Sequence, residues 1–234
     1  MSEITGLVSS VSPKSKEFSF DSVVNFDDHI AKSIPNYDIM TESIARLSEY
    51  FKDESKIIYD IGCSQGHMLK YFKRSNNYKG KMIGLDMSRN LLPANTREYD
   101  NVDFVEHDLR TPYKFNNACI VYAMYTLQFL PRECRKDVLM SIWEGLCEGG
   151  ALFLCEKVYL PDGQFQDMWS SAYYDYKKES FTEKEIFDKE RSLRTLLKPN
   201  THAENLSMLR DCSFRKIEQF YQYFQFRGVL AIKG

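Results

Sequence analysis

The sequence predicts an α/β fold in which helices flank a mostly parallel sheet. An apolar run at residues 57–61 leads into a glycine-rich turn and then into a segment with helical spacing, the pattern of a strand, a tight turn and a helix. Further short apolar runs follow, and three of the predicted strands end in polar residues. The run at residues 118–125 is almost continuously apolar, which is typical of a strand buried on both faces of a parallel sheet. At 234 residues, the chain has room for one such domain with additions.

Composition gives no overall attraction to nucleic acid or membranes, although a local basic patch remains possible. A formal charge of −2 and an isoelectric point near 6.1 give no general attraction to nucleic acid or to anionic membranes. The longest apolar runs are far shorter than the ~20 residues that span a bilayer, and no signal-peptide pattern precedes residue 18. The six cysteines form no C-x-x-C pair and no Cys/His ligand pattern, so we expect reduced core residues and no metal. The composition predicts a cytoplasmic protein that does not bind nucleic acid directly.

The N-terminal segment divides into a tail and two helices. Residues 1–17 are polar and rich in serine, which predicts a flexible tail, and we expect a single domain over residues 18–234. Helical spacing of apolar residues predicts one helix that ends at Pro35 and a second helix from about Asp38 to Phe51. Tyr37 lies at the corner between them, where it could either pack against the helices or close over a bound ligand.

The turn after the first strand has the character of a nucleotide-binding loop. Its sequence, D-I-G-C-S-Q-G at residues 60–66, lacks the third glycine of the dinucleotide pattern and the Gly-Lys-Ser/Thr of a P-loop. Asp60, Gly62 and Gly66 have instead the D/E-x-G-x-x-x-G spacing that resembles the first motif of S-adenosylmethionine-dependent methyltransferases. Glycine permits positive φ and the close approach of a ligand. Such turns also occur without a ligand, so a nucleotide site requires further support from the residues that follow the other strands.

Two further acids follow strands of the same sheet. Asp86 ends the predicted strand at residues 81–85 and lies 24 residues beyond Gly62, about where an acid accepts hydrogen bonds from ribose hydroxyls in βαβ nucleotide folds. Asp86 could alternatively cap a helix that starts near Arg89. Asp108 follows the strand at residues 102–106, where it could accept a hydrogen bond from an adenine amino group. Ligands of open α/β sheets bind beyond the carboxyl ends of the strands, so these acids favour a nucleotide site.

The second half of the chain completes the domain. An amphipathic helix at residues 131–147 ends at a Gly-Gly pair, and a fifth strand at residues 151–157 follows. Residues 158–200 are aromatic and highly charged, and we expect them to form a helical insertion. A helix at residues 202–212 and a pair of strands at residues 214–224 and 226–233 close the domain.

With these motifs in place, the chain resembles the carboxy-S-adenosylmethionine synthases, a family with the class I methyltransferase fold. The resemblance covers nearly everything from Phe18 to Lys233 and includes Y-D-I-G-C-S, Y-T-L-Q-F-L, K-E-R-S-L and Y-Q-Y-F-Q-F-R-G-V-L-A-I-K. It implies a Rossmann-like, seven-stranded and mostly parallel sheet with N-terminal helices and a helical insertion before the last strands. It also implies a transferase that converts S-adenosylmethionine, with prephenate as carboxyl donor, into carboxy-S-adenosylmethionine. In the family this product serves tRNA wobble-uridine modification by a separate enzyme.

The resemblance also implies roles for individual residues. The turn residues Gly62, Cys63 and Ser64 would hold the amino-acid portion of the cofactor. The remaining binding positions are distributed over other segments: Asp86 at the ribose, Asp108 and Leu109 beside the adenine, and Tyr37 closing over the ligand. Met87 and Met124 stand where the family has hydrogen-bonding side chains, and at these positions the backbone would contact the cofactor. The basic motif reads K-E-R-S where the family reads K-R-S, so Glu190 departs from the pattern.

Arg191 is the residue to which the resemblance assigns the distinctive chemistry. A guanidinium can hold the carboxylate added to the sulfonium methyl through two charge-assisted hydrogen bonds. By composition alone, Arg191 would be one solvated charge in a highly charged helix. Lys177 and Tyr174 in the same insertion are further, weaker candidates.

Two alternative functions remain open from the sequence. The chain could be an ordinary methyltransferase that acts on a different substrate, or a non-catalytic protein that binds S-adenosylmethionine or its carboxylated form. It lacks the Asn/Asp-Pro-Pro-Tyr/Phe motif of base methyltransferases after the fourth strand. Aromatic residues at positions 169–176 predict an exposed surface that favours a homodimer.

Overall fold

The computed structural model describes residues 26–93 and 100–234. The predicted tail at residues 1–17 and the start of the first predicted helix lie outside the described residues. Within them, α1 comprises Phe26–Ser33 and α2 comprises Tyr37–Ser48. The break at Pro35 is therefore where the sequence predicts it, whereas α2 ends one turn before the predicted Phe51.

A seven-stranded sheet forms the centre of the described part of the chain, with the order β3-β2-β1-β4-β5-β7-β6. Its strands are β1 Ile57–Ile61, β2 Lys81–Asp86, β3 Val102–Glu106, β4 Ala118–Met124, β5 Leu146–Lys157, β6 Lys216–Tyr223 and β7 Phe226–Ile232. Neighbouring strands are parallel, except that β7 is antiparallel to both β5 and β6. The predicted mostly parallel sheet is confirmed.

Helices cover both faces of this sheet. Beyond α1 and α2 they are α3 His67–Asn76, α4 Arg132–Gly145, α5 Gly163–Lys178, α6 Glu183–Leu193 and α7 His202–Asp211. Tyr122 of β4 packs with residues of α2 and α3 on one face, and its neighbour Val121 packs with residues of α4 and α7 on the other. Residues 118–123 of β4 are buried, which confirms the interpretation of this apolar run.

The boundary between α4 and β5 differs from the predicted one. The helix ends at Gly145 and the strand begins at Leu146, where the sequence predicts a helix to residue 147 and a strand from residue 151. A Cβ on Gly145 would lie 2.3 Å from Cβ of Phe115, so the helix ends where it meets another segment closely. Between Leu146 and Ala151 the register against β4 shifts, and Gly149 adopts a φ of 74° within this irregular stretch. The Gly-Gly pair therefore belongs to a bulged strand.

The predicted insertion is helical and consists of α5 and α6. Asp162 caps α5 by accepting a hydrogen bond from the N–H of Phe165, and Thr182 begins α6 in a capping box with Glu185. The two ends of the insertion meet, because the N–H of Tyr159 donates to the carbonyl of Asn200 over 3.0 Å. No helix among the described residues has the length and apolar character needed to cross a membrane.

Candidate active site

The glycine turn after β1 is held tightly against the end of β4. Gly62 has a φ of 67°, and a Cβ on this residue would lie 2.3 Å from Oγ1 of Thr126. That hydroxyl in turn donates to the carbonyl of Ile61 over 2.8 Å. Gly66, with a φ of 74°, would place a Cβ 2.5 Å from the ring of Phe104. Both glycines are therefore required by backbone conformation and by space.

Asp86 connects the turn after β1 with the turn after β2. Its Oδ2 accepts from the N–H of Ser64 over 2.8 Å, and its Oδ1 accepts from the N–H of Ser88 over 2.9 Å. Because a carboxylate oxygen can accept more than one hydrogen bond, a ligand hydroxyl can also donate to this group. Residues 89–91 form a turn, and no helix begins among the described residues 88–93.

Ser64 has an unused polar group beside this carboxylate. Its Oγ is buried and has no hydrogen-bond partner among the described residues. A buried hydroxyl without a partner costs free energy, so this group fits a ligand that hydrogen-bonds to it. The φ of Ser64 is 49°, a conformation that orients the turn at some cost for a residue with a side chain.

Two buried groups of this turn, the Asp60 carboxyl and the Cys63 thiol, have pKa values raised above their usual range. Burial raises the pKa of Asp60 well above its usual value, and the charge of Asp86 raises it further. Burial also raises the pKa of the Cys63 thiol, and the charges of Asp60 and Asp86 add to this effect. Cys63 is therefore a protonated packing residue and not an activated nucleophile.

Asp108 and Leu109 lie beside the end of β2, because the N–H of His107 donates to the carbonyl of Asp86 over 2.8 Å. Leu109 is buried. Both oxygens of Asp108 accept hydrogen bonds from Arg110, at 2.9 and 2.6 Å, and this pairing lowers the pKa of Asp108. An adenine amino group would have to share the Asp108 carboxylate with Arg110.

The other predicted binding residues fall into two groups. Tyr37 is the first residue of α2, and its ring centroid lies 5.5 Å from that of His67, the first residue of α3 after the glycine turn. Met124 ends β4, and Met87 follows β2 with an exposed side chain, so both lie at the carboxyl edge of the sheet. The structure brings Tyr37, Met87 and Met124 to the same edge as the turn.

Arg191 is not brought together with these residues. It is exposed on α6, where its guanidinium carbon lies 5.7 Å from the ring centroid of Phe187 on the preceding turn. Among the described residues, no hydrogen bond or ion pair joins Arg191 to the glycine turn. Its assigned role therefore stays a prediction.

A polar network that sequence reasoning missed stabilises the segment after β4. Glu156 of β5 accepts from the N–H groups of Leu127 and Gln128, at 3.0 and 2.9 Å, and is itself buried. Burial raises the pKa of Glu156 to about 8, while the nearby Arg135 guanidinium and these N–H donors oppose that rise. The buried Arg135 donates to the side chain of Asn200 over 3.0 Å. The network also explains the glutamine of the T-L-Q-F-L motif, since the Gln128 side chain accepts from the N–H of the residue after Glu156 over 2.9 Å.

A group of basic side chains also lies at this edge, and of these the sequence indicates only Lys177. The ammonium groups of Lys157 and Lys177 lie 4.8 and 5.3 Å from the ring centroid of Tyr173. Lys189 Nζ lies 2.6 Å from Nε2 of His29. The available signal was the position of Lys157 at the end of a central strand, where polar residues of an α/β sheet meet ligands. Among the described residues, no cluster of His, Cys, Asp and Glu has the makeup of a metal site.

Known proteins of similar sequence include methyltransferase-domain proteins and carboxy-S-adenosyl-L-methionine synthases. Residues 58–150 match a family described as "Methyltransferase domain". A Staphylococcus epidermidis protein named carboxy-S-adenosyl-L-methionine synthase is 33% identical over 89% of this chain and 92% of its own length. A Shewanella halifaxensis protein of the same name is 31% identical over 93% of both chains.

Solved structures confirm the fold at low sequence identity. The plantazolicin methyltransferase has a TM-score of 0.62 at 14% identity, and the match covers 88% of each chain. A putative O-methyltransferase from Nostoc punctiforme has a TM-score of 0.61 at 14% identity, where the match covers 83% of this chain and 56% of the other. These likenesses show the class I methyltransferase fold.

Proposed function

Because the chain belongs to the carboxy-S-adenosyl-L-methionine synthase family, we propose that it converts S-adenosylmethionine into carboxy-S-adenosylmethionine with prephenate as carboxyl donor. The observation that carries this proposal is the extent of the similarity to the named synthases. It covers 89% of the chain in the Staphylococcus relative and 93% in the Shewanella relative, far more than the general methyltransferase match at residues 58–150. The proposal therefore rests on similarity over most of the chain and not on the glycine turn alone.

The residues at the carboxyl edge fit S-adenosylmethionine. The amino-acid portion would lie against Gly62 and the unpartnered hydroxyl of Ser64, and the ribose hydroxyls would reach Asp86. Leu109 would supply an apolar surface for the adenine, and Tyr37 would cover the ligand from the start of α2. Because Asp86 already fixes two backbone N–H groups, its carboxylate is oriented before a ligand arrives.

The proposed reaction needs binding and charge neutralisation more than a nucleophile. Prephenate loses CO₂ and hydroxide as its ring becomes aromatic, while the sulfonium methyl of S-adenosylmethionine loses a proton and takes up the CO₂. The proton and the hydroxide together give water, so the reaction balances. The protein would hold the two substrates together, exclude bulk water and neutralise their carboxylates.

A direct test uses purified protein, S-adenosylmethionine and prephenate labelled with ¹³C in the ring carboxyl group. Mass spectrometry should show the label in carboxy-S-adenosylmethionine and an equal amount of aromatic keto acid. Conversion of neither substrate would reject the proposal. Methyl transfer to an added acceptor without carboxylation would reject it in favour of an ordinary methyltransferase. Tight binding of the ligand without turnover would identify a non-catalytic binding protein.

We further propose that Arg191 binds the carboxylate of the product. Arg191→Leu should weaken binding of carboxy-S-adenosylmethionine by ~1.5–3 kcal/mol, the range for hydrogen bonds to charged groups, with a smaller effect on S-adenosylmethionine. Arg194→Leu is the matched control, because Arg194 follows closely on the same segment and lies 3.7 Å from Glu190 in an exposed ion pair. Isothermal titration with both ligands distinguishes the outcomes, and equal losses for the two ligands would contradict the assigned role.

The biological setting is also a proposal. The product would serve carboxymethyl transfer to a tRNA wobble uridine by a separate enzyme in the cytoplasm, without direct nucleic-acid binding by this chain. The protein would be a homodimer, supported by the exposed apolar side chains of Phe165, Met168 and Phe187 on α5 and α6. The expectation of an exposed aromatic surface at positions 169–176 is wrong, because Tyr173 is buried and the other aromatic side chains there are only partly exposed. Sedimentation equilibrium tests the dimer, and nucleoside analysis of tRNA from cells lacking the protein tests the pathway.

A further inference from the structure

Two lysines from different elements share one aromatic ring. Lys157 ends β5 and Lys177 lies in the last turn of α5, yet their ammonium groups lie 4.8 and 5.3 Å from the ring centroid of Tyr173. Lys177 is buried and Lys157 is partly buried. Lys177 repels the positive charge of Lys157, and both ammonium groups lose part of their hydration through burial.

The surrounding side chains do not neutralise this pair. Neither Lys157 nor Lys177 forms an ion pair with a carboxylate in the described part of the chain. Glu190 acts on both lysines electrostatically, but its carboxylate lies 3.7 Å from Arg194 in an ion pair. Burial lowers the pKa of both lysines, and repulsion by Lys177 helps to lower that of Lys157 to about 8. Cation–π contact with Tyr173 offsets only part of the cost, typically ~0.5–2 kcal/mol.

The lysine pair is joined to the cofactor edge through packed aromatic rings. Lys157 also lies 5.9 Å from the ring centroid of Phe226, whose ring is 5.7 Å from that of Tyr125. Tyr125 follows β4 directly and precedes Thr126, the residue that packs against the glycine turn. The pair therefore lies beside the carboxyl ends of β4 and β5, where open α/β sheets bind ligands.

We infer that Lys157 and Lys177 bind the two carboxylates of the carboxyl donor. This inference rests on the proposed function, because prephenate carries two carboxylates on a six-membered ring. Neither ammonium group forms an ion pair with a described carboxylate, so two positive charges are available for the two carboxylates of the ligand. The chemistry selects a dicarboxylate over a monocarboxylate, since a single negative charge leaves one ammonium group uncompensated.

The test compares Lys157→Met and Lys177→Met with Lys178→Met. Methionine keeps the apolar stem and removes the charge, and Lys178 is an exposed neighbour on α5 that lies 3.1 Å from Glu183. Each of the first two variants should raise the KM for prephenate about 10- to 100-fold, the loss expected for one charge-assisted hydrogen bond, with an unchanged dissociation constant for S-adenosylmethionine. The Lys178 variant should match the wild type in both.

Thermal unfolding of the ligand-free proteins separates binding from structure. Removal of a buried charge that lacks a partner should leave the melting temperature unchanged or raise it. A lower melting temperature together with an unchanged KM would show that the lysines are structural, and would overturn the inference.

A second measurement keeps the inference distinct from the proposed function. If the wild type does not convert S-adenosylmethionine, prephenate can still be titrated into the protein as a ligand, with phenylpyruvate as the monocarboxylate comparison. Prephenate binding that is lost in both lysine variants would support the site while the reaction fails. Equal binding of prephenate to the wild type and both variants would reject the site, whatever the reaction.

Discussion

Replacement of Gly62 with alanine tests the close contact between the glycine turn and β4. Alanine at a φ of 67° should cost ~1–2 kcal/mol because its Cβ disfavours the left-handed region. That Cβ would lie 2.3 Å from Oγ1 and 2.6 Å from Cγ2 of Thr126, and crowding of this kind costs ~1–3 kcal/mol. The free energy of unfolding should therefore fall by about 2–5 kcal/mol, provided the two effects add.

Two other glycines separate these contributions. Gly149 has a φ of 74°, and a Cβ on this residue would have no described atom within 4 Å, so Gly149→Ala should show the conformational cost alone, ~1–2 kcal/mol. Gly163 at the start of α5 has neither a positive φ nor a close neighbour among the described residues, so Gly163→Ala should be close to neutral. Thr126→Ala removes the two nearest atoms, and in that background Gly62→Ala should cost little more than Gly149→Ala.

Urea denaturation followed by circular dichroism measures these differences, and calorimetric titration with S-adenosylmethionine measures binding by the same proteins. Gly62→Ala should destabilise the protein most, Gly149→Ala less and Gly163→Ala least. Only Gly62→Ala should weaken the binding of S-adenosylmethionine. Equal losses for Gly62→Ala and Gly149→Ala would show that Thr126 yields freely, and would refute the argument from close packing.

Two further predictions concern charge. Asp86→Asn places an amide N–H₂ against the N–H of either Ser64 or Ser88, so the free energy of unfolding should fall by ~1–3 kcal/mol and S-adenosylmethionine should bind more weakly. Asp103→Asn, at an exposed position, is the control. Equal effects of the two variants in denaturation and titration would contradict the bridging role of Asp86. Burial lowers the pKa of His29 from 6.5 to about 4, and the charges of nearby lysines add to this, so the unfolded chain takes up the proton first. Stability should therefore be fully present above pH 6.5 and decline as the pH falls toward 4, and His29→Gln should flatten that part of the profile in urea titrations at fixed pH values.

The fold was predictable because its signals are local. The run at residues 57–66 contains its own strand, turn and helix start, and the burial of β4 follows from its continuous apolar sequence. The end of α4 was not predictable, because it depends on the approach of Phe115 to Gly145. The Gly-Gly pair has the local character of a helix stop, whereas the register against β4 incorporates it into a bulge.

The candidate site was predictable only in part. Glycines and acids at strand ends follow general rules of α/β sheets, and these rules locate Asp86 beside the turn. The atoms that fill the space at Gly62 and Gly66 belong to Thr126 and Phe104, which are distant in sequence. The pairing of Lys157 with Lys177 likewise depends on how α5 packs on β5, and no spacing in the sequence encodes it.

The contact between Tyr159 and Asn200 has a consequence for the architecture of the chain. The chain leaves the domain at Tyr159 and returns beside it at Asn200, and the segment between them contains α5 and α6. Removal of this segment would not interrupt any strand of the sheet. The S-adenosylmethionine edge and the helices proposed to receive the carboxyl donor are thus separable in connectivity, although they meet in space. A shortened chain that joins Tyr159 directly to Asn200 would keep all seven strands, and binding of S-adenosylmethionine by this shortened chain would show that the insertion is not needed to hold the cofactor.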